Sequence, residues 1–282
     1  MSIAATSPVQ TKPTLIQPPS RWPGLGLAEL WRLRGICLVL VRRNLMVRYR
    51  QTLVGATWAV LQPVLLMAVF TVFFGLFARY PSQGVPFAAF FLSGLVIWQV
   101  AAKILNEGSA SVVANSALVN RVYLPRAFFP ASVALASLVD LCFGLIALAV
   151  VLAITGVAPQ PAALLAPVFI AIAMAASLGV ALFLSALNVA YRDVTQLLPF
   201  LSQLWLFGSP IIYPSTIVPD SFRWLYDLNP MVLVVNGFRW GFTGTPAPDL
   251  LNWSEGVVMA ALLLVTGYLF FRRREPTFAD TV

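Results

Sequence analysis

The chain has 282 residues, 60% of them hydrophobic and only 10% charged, with a mean hydropathy of +0.86. A soluble domain carries about a quarter charged residues; these few cannot cover an aqueous surface, so an ordinary soluble enzyme is excluded and a multi-spanning membrane protein is expected. The net charge of +8 is read first as a topology signal rather than as a nucleic-acid footprint.

Residues 1–26 are rich in Pro, Ser, Thr and Gln and read as a flexible tail rather than a signal peptide, because they hold no continuous apolar run. Over 27–52 the sequence turns apolar but basic, with Arg32, Arg34, Arg42, Arg43, Arg48 and Arg50 interleaved. At about 100° per residue Arg32, Arg43 and Arg50 share one side, whereas Arg34 and Arg48 lie opposite. An interfacial helix in the headgroup layer tolerates that imperfection, since arginine snorkels from its flanks.

Stretches long enough for about 30 Å of hydrocarbon follow. Residues 53–78 make the first span and 87–102 the core of the second. Between Arg126 and Arg192 the only charge is Asp140, with room for two spans around a turn at GVAPQP, 156–161. Residues 196–213 make the fifth span and 256–271, extended upstream by Trp253, the sixth. Six spans leave both termini on one side. All but Arg79, Arg223 and Arg239 of the 18 Lys and Arg fall on that side, which the positive-inside rule makes cytoplasmic. The expected fold is an all-α membrane protein of six transmembrane helices with an N-terminal amphipathic interfacial helix. In the outer segment 214–252, apolar runs of nine or ten residues alternate with Asp220, Arg223, Asp227 and Arg239. They are too short to cross, so re-entrant short helices are expected before the last span. The domain order is a tail at 1–26, an interfacial helix at 27–52, a six-span domain at 53–272 and a cytoplasmic tail at 273–282.

Several chemistries lack their residues. Histidine is absent, and Cys37 and Cys142 lie far apart in apolar surroundings, which supports neither a metal site nor a disulfide; both thiols are expected to be buried and inert. The two lysines, Lys12 and Lys103, do not stand in a phosphate-binding loop. Proton relays and general acid–base catalysis are also poorly supplied. Asp140 alone sits deep in a span, and two readings stand: it binds a cationic group or carries a proton, or it hydrogen-bonds a neighbouring helix as a packing feature.

The segment RYRQTLVGATWAVLQP at 48–63 resembles the start of the first span in membrane subunits of polysaccharide-exporting ABC transporters, the type 2 exporters. FLSGLVIW at 91–98, LVNRVYLPRAFFP at 118–130, YRDVTQLLPFLSQLWLFGSPIIYP at 191–214 and LNPMVLVVNGFRW at 228–240 are similar to four further blocks of that family in order and spacing. Where the family often has a lysine before a Phe-Pro-Arg loop motif, this chain has Arg121 followed by Tyr-Leu-Pro-Arg. The resemblance implies a homodimeric permease in a bacterial inner membrane. It also implies two copies of a separate ATPase, which holds ATP and Mg, and a lipid-linked glycan such as O-antigen, capsule or teichoic acid as cargo. No cofactor is expected in this chain, and no nucleic-acid partner. The polar stretch 106–126 would couple to the ATPase through Glu107, Asn115, Arg121 and Arg126, and 214–252 would form the outer gate.

Other residues are candidates on their chemistry. Phe70, Phe73, Phe74 and Phe77 stand at i, i+3, i+4 and i+7, one face of a regular helix. Such rings offer a sliding sugar chain weak, repeated contacts, or else pack between helices; Trp58, Trp98, Phe200, Trp205 and Tyr213 share that ambiguity. Arg42, Arg43, Arg48 and Arg50 anchor the cytoplasmic side and are candidates for capturing a lipid pyrophosphate. Rival readings are a type 2 permease for a small molecule, lipid or drug, and an intramembrane glycolipid transferase, for which the acid clusters and histidine are missing.

Overall fold

The computed structural model describes residues 26–49, 57–121 and 124–278, and all regular structure among them is helical. The tail at 1–25, the end of the expected interfacial helix at 50–52, the start of the expected first span at 53–56 and the end of the expected C-terminal tail at 279–282 lie outside the described residues. Two helices, α1 (Leu27–Arg32) and α2 (Arg34–Tyr49), open the chain. Cys37 and Leu40 are the buried residues of α2, and this face packs along the third long helix.

The first span is α3 (Thr57–Phe70), continued by a π-helical turn at Thr71–Phe77. It lies at the margin of the bundle, with most of its apolar side chains exposed. Next comes α4 (Phe87–Lys103), part of the most enclosed of the long apolar helices, packed by α3 and by the later long helices. It does not stop at a polar loop. A second π-helical turn at Ile104–Gly108 carries it into α5 (Ser109–Ala114), so one apolar rod runs from Phe87 to Ala114. The polar stretch from residue 106 is thus largely helical, and α6 (Ser116–Arg121) follows at once. Ser109, Ser111 and Val112 are buried despite the polarity of the segment.

The paired spans follow as α7 (Phe128–Thr155) and α8 (Ala166–Ala190). Between them, at the expected turn, Gly156 closes α7 with φ 70° and Pro161 opens a 3₁₀ turn. Cys142 is exposed on α7 and only Cys37 is buried, which corrects the expectation of two buried thiols; a position facing outward from a membrane bundle is apolar without being enclosed.

The expected fifth span is shorter than 196–213. Helix α9 (Val194–Phe207) has 14 residues, about 21 Å at 1.5 Å per residue. Beyond it Gly208, Ser209 and Pro210 leave the helical path, and Ile211 and Ile212 enter the core. Among the described residues five helices are therefore long and apolar enough to cross a membrane, and α9 is a shorter apolar helix.

The outer segment forms α10 (Asp220–Asp227) and α11 (Pro230–Thr243), and the chain then enters α12 (Leu250–Arg274). Helix α10 exposes Phe222, Trp224 and Leu225, whereas α11 is almost wholly buried against α4 and α8. Helices α8 and α12 pack most closely where Gly179 meets Gly267: a Cβ on Gly267 would stand 2.0 Å from the Gly179 carbonyl oxygen. Small residues permit this backbone approach where lipid offers no hydrophobic drive.

Two apolar cores result. The larger joins α4, α7, α8 and α11. The smaller gathers Cys37 and Leu40 of α2, Leu124, Phe128 and Phe129, Val189, Phe271 and Phe278, so both described ends of the chain meet at one end of the bundle.

Candidate functional site

Asp140 lies midway along α7, where the sequence offers it no partner. The fold brings two helices to it. The Arg48 Nη1 donates to Asp140 Oδ2 at 2.7 Å and the Lys103 Nζ donates to the same oxygen at 2.5 Å. The Tyr49 hydroxyl donates to the other oxygen, Oδ1. Arg48 Nη2 also donates to Glu107 at 2.5 Å, and Lys103 lies 3.9 Å from Glu107 on the next turn. Tyr49 and Arg48 end α2, while Lys103 ends α4 and Glu107 sits in the π-helical turn, so four segments share one network of balanced charge. Burial first, and then the hydrogen bond and negative charge of Asp140, push the Tyr49 phenol up to about 12; it stays protonated and donates. Asp140 thus binds two cationic side chains from neighbouring helices.

The network lines one end of a cavity of about 760 Å³, whose other walls include Trp58, Gln62, Pro63, Leu66, Leu95, Trp98 and Gln99. A second cavity of about 600 Å³ adjoins it, sharing Leu66, Leu95, Trp98, Asn106 and Leu206 and continuing to Phe70, Phe91, Phe207 and Ile212. Together they make a groove between α3, α4 and α9, charged at one end and aromatic along its length. A third cavity of about 840 Å³ lies among α8, α9, α10 and α12 and is almost wholly apolar.

The candidate aromatic residues do not form one wall. Trp58 and Trp98 line the first cavity, Trp98 and Phe70 the second, and Trp205 the third. Phe73, Phe74, Phe77, Phe200 and Tyr213 line none of these. The single face expected for Phe70, Phe73, Phe74 and Phe77 is split, because the π-helical turn abandons the 3.6-residue repeat at Thr71. Phe70 stacks on Phe91 at 4.6 Å and on Phe74 at 5.4 Å, facing inward. Phe73 and Phe77 contact each other edge-on and are exposed. Trp98 is buried and meets Trp205 edge-on at 5.7 Å.

At the third cavity, Asn229 ties α9 to α11. Its Oδ1 caps α11 by accepting from Met231 N at 3.0 Å and also accepts from Trp205 Nε1 at 2.8 Å. Its Nδ2 donates to the Gly208 carbonyl and to Ser209 Oγ. Tyr213 donates to the Phe207 carbonyl at 2.7 Å. Nearby, the fully buried Arg239 donates to the carbonyls of Phe90, Pro210 and Ile211.

The other candidates are divided. Arg42 is exposed, Arg43 donates to Asn115 Oδ1 at 2.5 Å, and Arg50 lies outside the described residues. Arg121 is exposed, whereas Arg126 is turned inward: its backbone N–H donates to Glu275 Oε1 at 2.9 Å, its guanidinium donates to the Glu275 carbonyl, and it lies beside the Phe278 ring. Lys103, Tyr49, Asn229 and Arg239 carry contacts that the sequence did not single out. The i, i+4 spacing of Lys103 and Glu107 was visible; the approach of α2 to α7 was not.

Comparison with known proteins agrees with this architecture. The profile described as ABC-2 type transporter matches residues 36–243. The chain is similar to an O-antigen export system permease protein RfbA of Myxococcus xanthus, 30% identical over 256 residues covering 90% of this chain and 98% of that protein. A protein of the same description from Klebsiella pneumoniae is 27% identical over 87% of this chain and 94% of its own length. The polysialic acid transport protein KpsM of Escherichia coli is 26% identical over 84% and 92%. A bundle of apolar helices with a charge-ended groove, matched over most of its length by these transport proteins, is a multi-pass membrane protein that belongs to the ABC-2 type transporter family.

Proposed function

We propose that this chain is the membrane permease of an ATP-driven exporter that moves a lipid-linked polysaccharide, O-antigen-like in class, across the bacterial inner membrane. Five long helices and α9 make six crossings, with both termini cytoplasmic by the positive-inside rule. Two copies of the chain face each other across the groove, and two copies of a separate ATPase dock beneath them. Helix α6, with the exposed Arg121, meets the ATPase; the internal contacts of Glu107, Asn115 and Arg126 carry its movement to α4, α2 and the C-terminal segment. Helices α10 and α11 form the outer gate, re-entering the membrane without crossing it.

The observation that carries this reading is the groove itself. Its charged end suits a phosphorylated headgroup, and Trp58, Trp98, Phe70 and Phe91 offer flat apolar faces to sugar rings along its length. A polymer in transit requires weak repeated contacts, since a tight site would hold it. The names of the similar proteins, O-antigen export permeases and a polysialic acid transport protein, support a glycan cargo over a drug or a free lipid.

The test is deletion of the gene followed by fractionation of the polymer. Lipid-linked glycan should accumulate on the cytoplasmic face and disappear from the cell surface. Normal surface polymer in the deletion strain would overturn the polysaccharide assignment. Turnover of a glycolipid by the purified chain without an ATPase would overturn the transport reading itself.

A further inference from the structure

The cluster at the charged end of the groove has a feature that a structural ion pair does not require. An ammonium and a guanidinium from different helices, Lys103 and Arg48, converge on one oxygen atom, Asp140 Oδ2, at 2.5 and 2.7 Å. The second arm of Arg48 is held by Glu107 at 2.5 Å. Two cations aimed at one point form an oxyanion receptor, and here a carboxylate of the chain itself fills it. The receptor is not sealed: the side chains of Arg48, Lys103 and Asp140 are 25%, 19% and 21% exposed, and that of Glu107 is 48% exposed. All four open on the 760 Å³ cavity, with Trp58 and Trp98 beside them.

We propose that Arg48 and Lys103 form the binding site for the phosphate or diphosphate headgroup of a lipid-linked substrate, and that Asp140 and Glu107 are resident counter-ions which that headgroup displaces. The proposal rests on the reading of the groove as the path of such a substrate. A diphosphate carries more charge than either carboxylate and presents several acceptor oxygens. It can engage the Arg48 fork and the Lys103 ammonium together, whereas the fork is now divided between two acids. The resident acids keep both cations oriented while the site is empty of substrate. Asp140 retains the Tyr49 hydroxyl after exchange, and the half-exposed Glu107, in the π-helical turn Ile104–Gly108, is free to turn toward water. Displacement would also release the Arg48 and Lys103 bonds from α2 and α4 to α7, giving occupied and empty sites different helix arrangements. Lys103, and not Arg42 or Arg43, is the second cation: Arg42 points outward and Arg43 is held by Asn115.

The experiment uses the full-length chain with its ATPase in nanodiscs of zwitterionic lipid, without ATP. Undecaprenyl diphosphate is titrated while tryptophan emission is followed, since Trp58 and Trp98 line the cavity. Lys103→Gln should weaken binding about tenfold and Lys103→Arg should largely restore it. Asp140→Asn and Glu107→Gln should each tighten binding, by about three- to tenfold, because a competing anion is removed. Weaker or unchanged binding in both neutralised variants would overturn the exchange, since acids that only brace the site would loosen it when removed. If Asp140→Asn does not fold, Glu107→Gln decides alone. Inorganic pyrophosphate is the second arm: it should compete weakly, and competition equal to that of the lipid would overturn the lipid source. Binding as expected in a strain whose deletion leaves polymer export intact sinks the polysaccharide reading and leaves this site standing. Impaired export with no tightening in either acid variant sinks the exchange alone.

Discussion

The guanidinium of Arg239 lies 3.6 Å above the centroid of the Phe90 ring while its Nε donates to the Phe90 carbonyl at 3.1 Å. The same side chain reaches Pro210 and Ile211, so one residue of α11 binds α4 to the irregular segment after α9. The Pro210 and Ile211 carbonyls belong to backbone that has left the helix, and a broken helix end at this depth is tolerated only where protein satisfies it. Arg239→Ala should destabilise the chain by about 3–5 kcal/mol, because each orphaned buried carbonyl costs about 1–3 kcal/mol. Arg239→Lys should rescue little, since a single ammonium replaces a planar fork. Thermal unfolding in detergent, followed by size-exclusion chromatography, measures both.

Asn229 performs a related task with a neutral side chain. Asn229→Ala removes the cap of α11 and its bonds to Trp205 and Gly208. The expected loss is about 2 kcal/mol, of which the cap contributes about 1. Trp205→Phe keeps the apolar contact with Trp98 but loses the indole donor, so it should cost about 1 kcal/mol. Unfolding midpoints of the two variants should rank in that order, with the double variant less than additive, because they share one bond.

The α8–α12 contact sets a sharper limit. Gly267→Ala places a Cβ against the Gly179 backbone, and Gly179→Ala meets Leu263 in the same way at 2.3 Å. Backbone cannot yield as a flexible side chain does, so overpacking of about 3 kcal/mol or more is expected. Gly35→Ala in α2 meets nothing within 4 Å and should be neutral or stabilising by up to about 1 kcal/mol. Yield of monodisperse protein should fall for the first two variants and hold for the third.

Arg121 and Arg126 should separate assembly from folding. Arg121→Glu alters an exposed side chain and should reduce co-purification of the ATPase without lowering the unfolding temperature. Arg126→Glu removes the guanidinium bond to the Glu275 carbonyl and sets a second carboxylate beside Glu275, and should lower the unfolding temperature first. Equal ATPase recovery with both variants would remove α6 from the docking surface.

The divided phenylalanines give a further contrast. Phe70→Ala loses two stacked contacts and should cost about 3 kcal/mol or more if the void does not collapse. Phe77→Ala, at an exposed position, should leave stability within about 0.5 kcal/mol. The same unfolding assay distinguishes them.

The membrane class was legible in the sequence, as were long apolar helices within 53–78, from 87 to 102, between Arg126 and Arg192 and near the C-terminal end, the turn at Gly156 and the short outer helices. Apolar runs of spanning length, glycine and proline punctuation and the placement of cations are local signals, legible without knowing what lies opposite. The burial of Ser109, Ser111 and Val112 was not legible, because polarity is local whereas burial depends on helices that arrive later in the chain. The phenylalanine quartet misled because a π-helical turn changes the repeat on which facing residues are reckoned. Asp140 had no visible partner because its cations lie 92 and 37 residues away, and no periodicity relates α2 to α7. Only tertiary structure decided that Arg48, Lys103, Glu107 and Asp140 meet, that Arg126 turns inward and that Arg239 is buried. Contacts between helices are fixed by how apolar faces pack, and packing joins residues without regard to their separation along the chain.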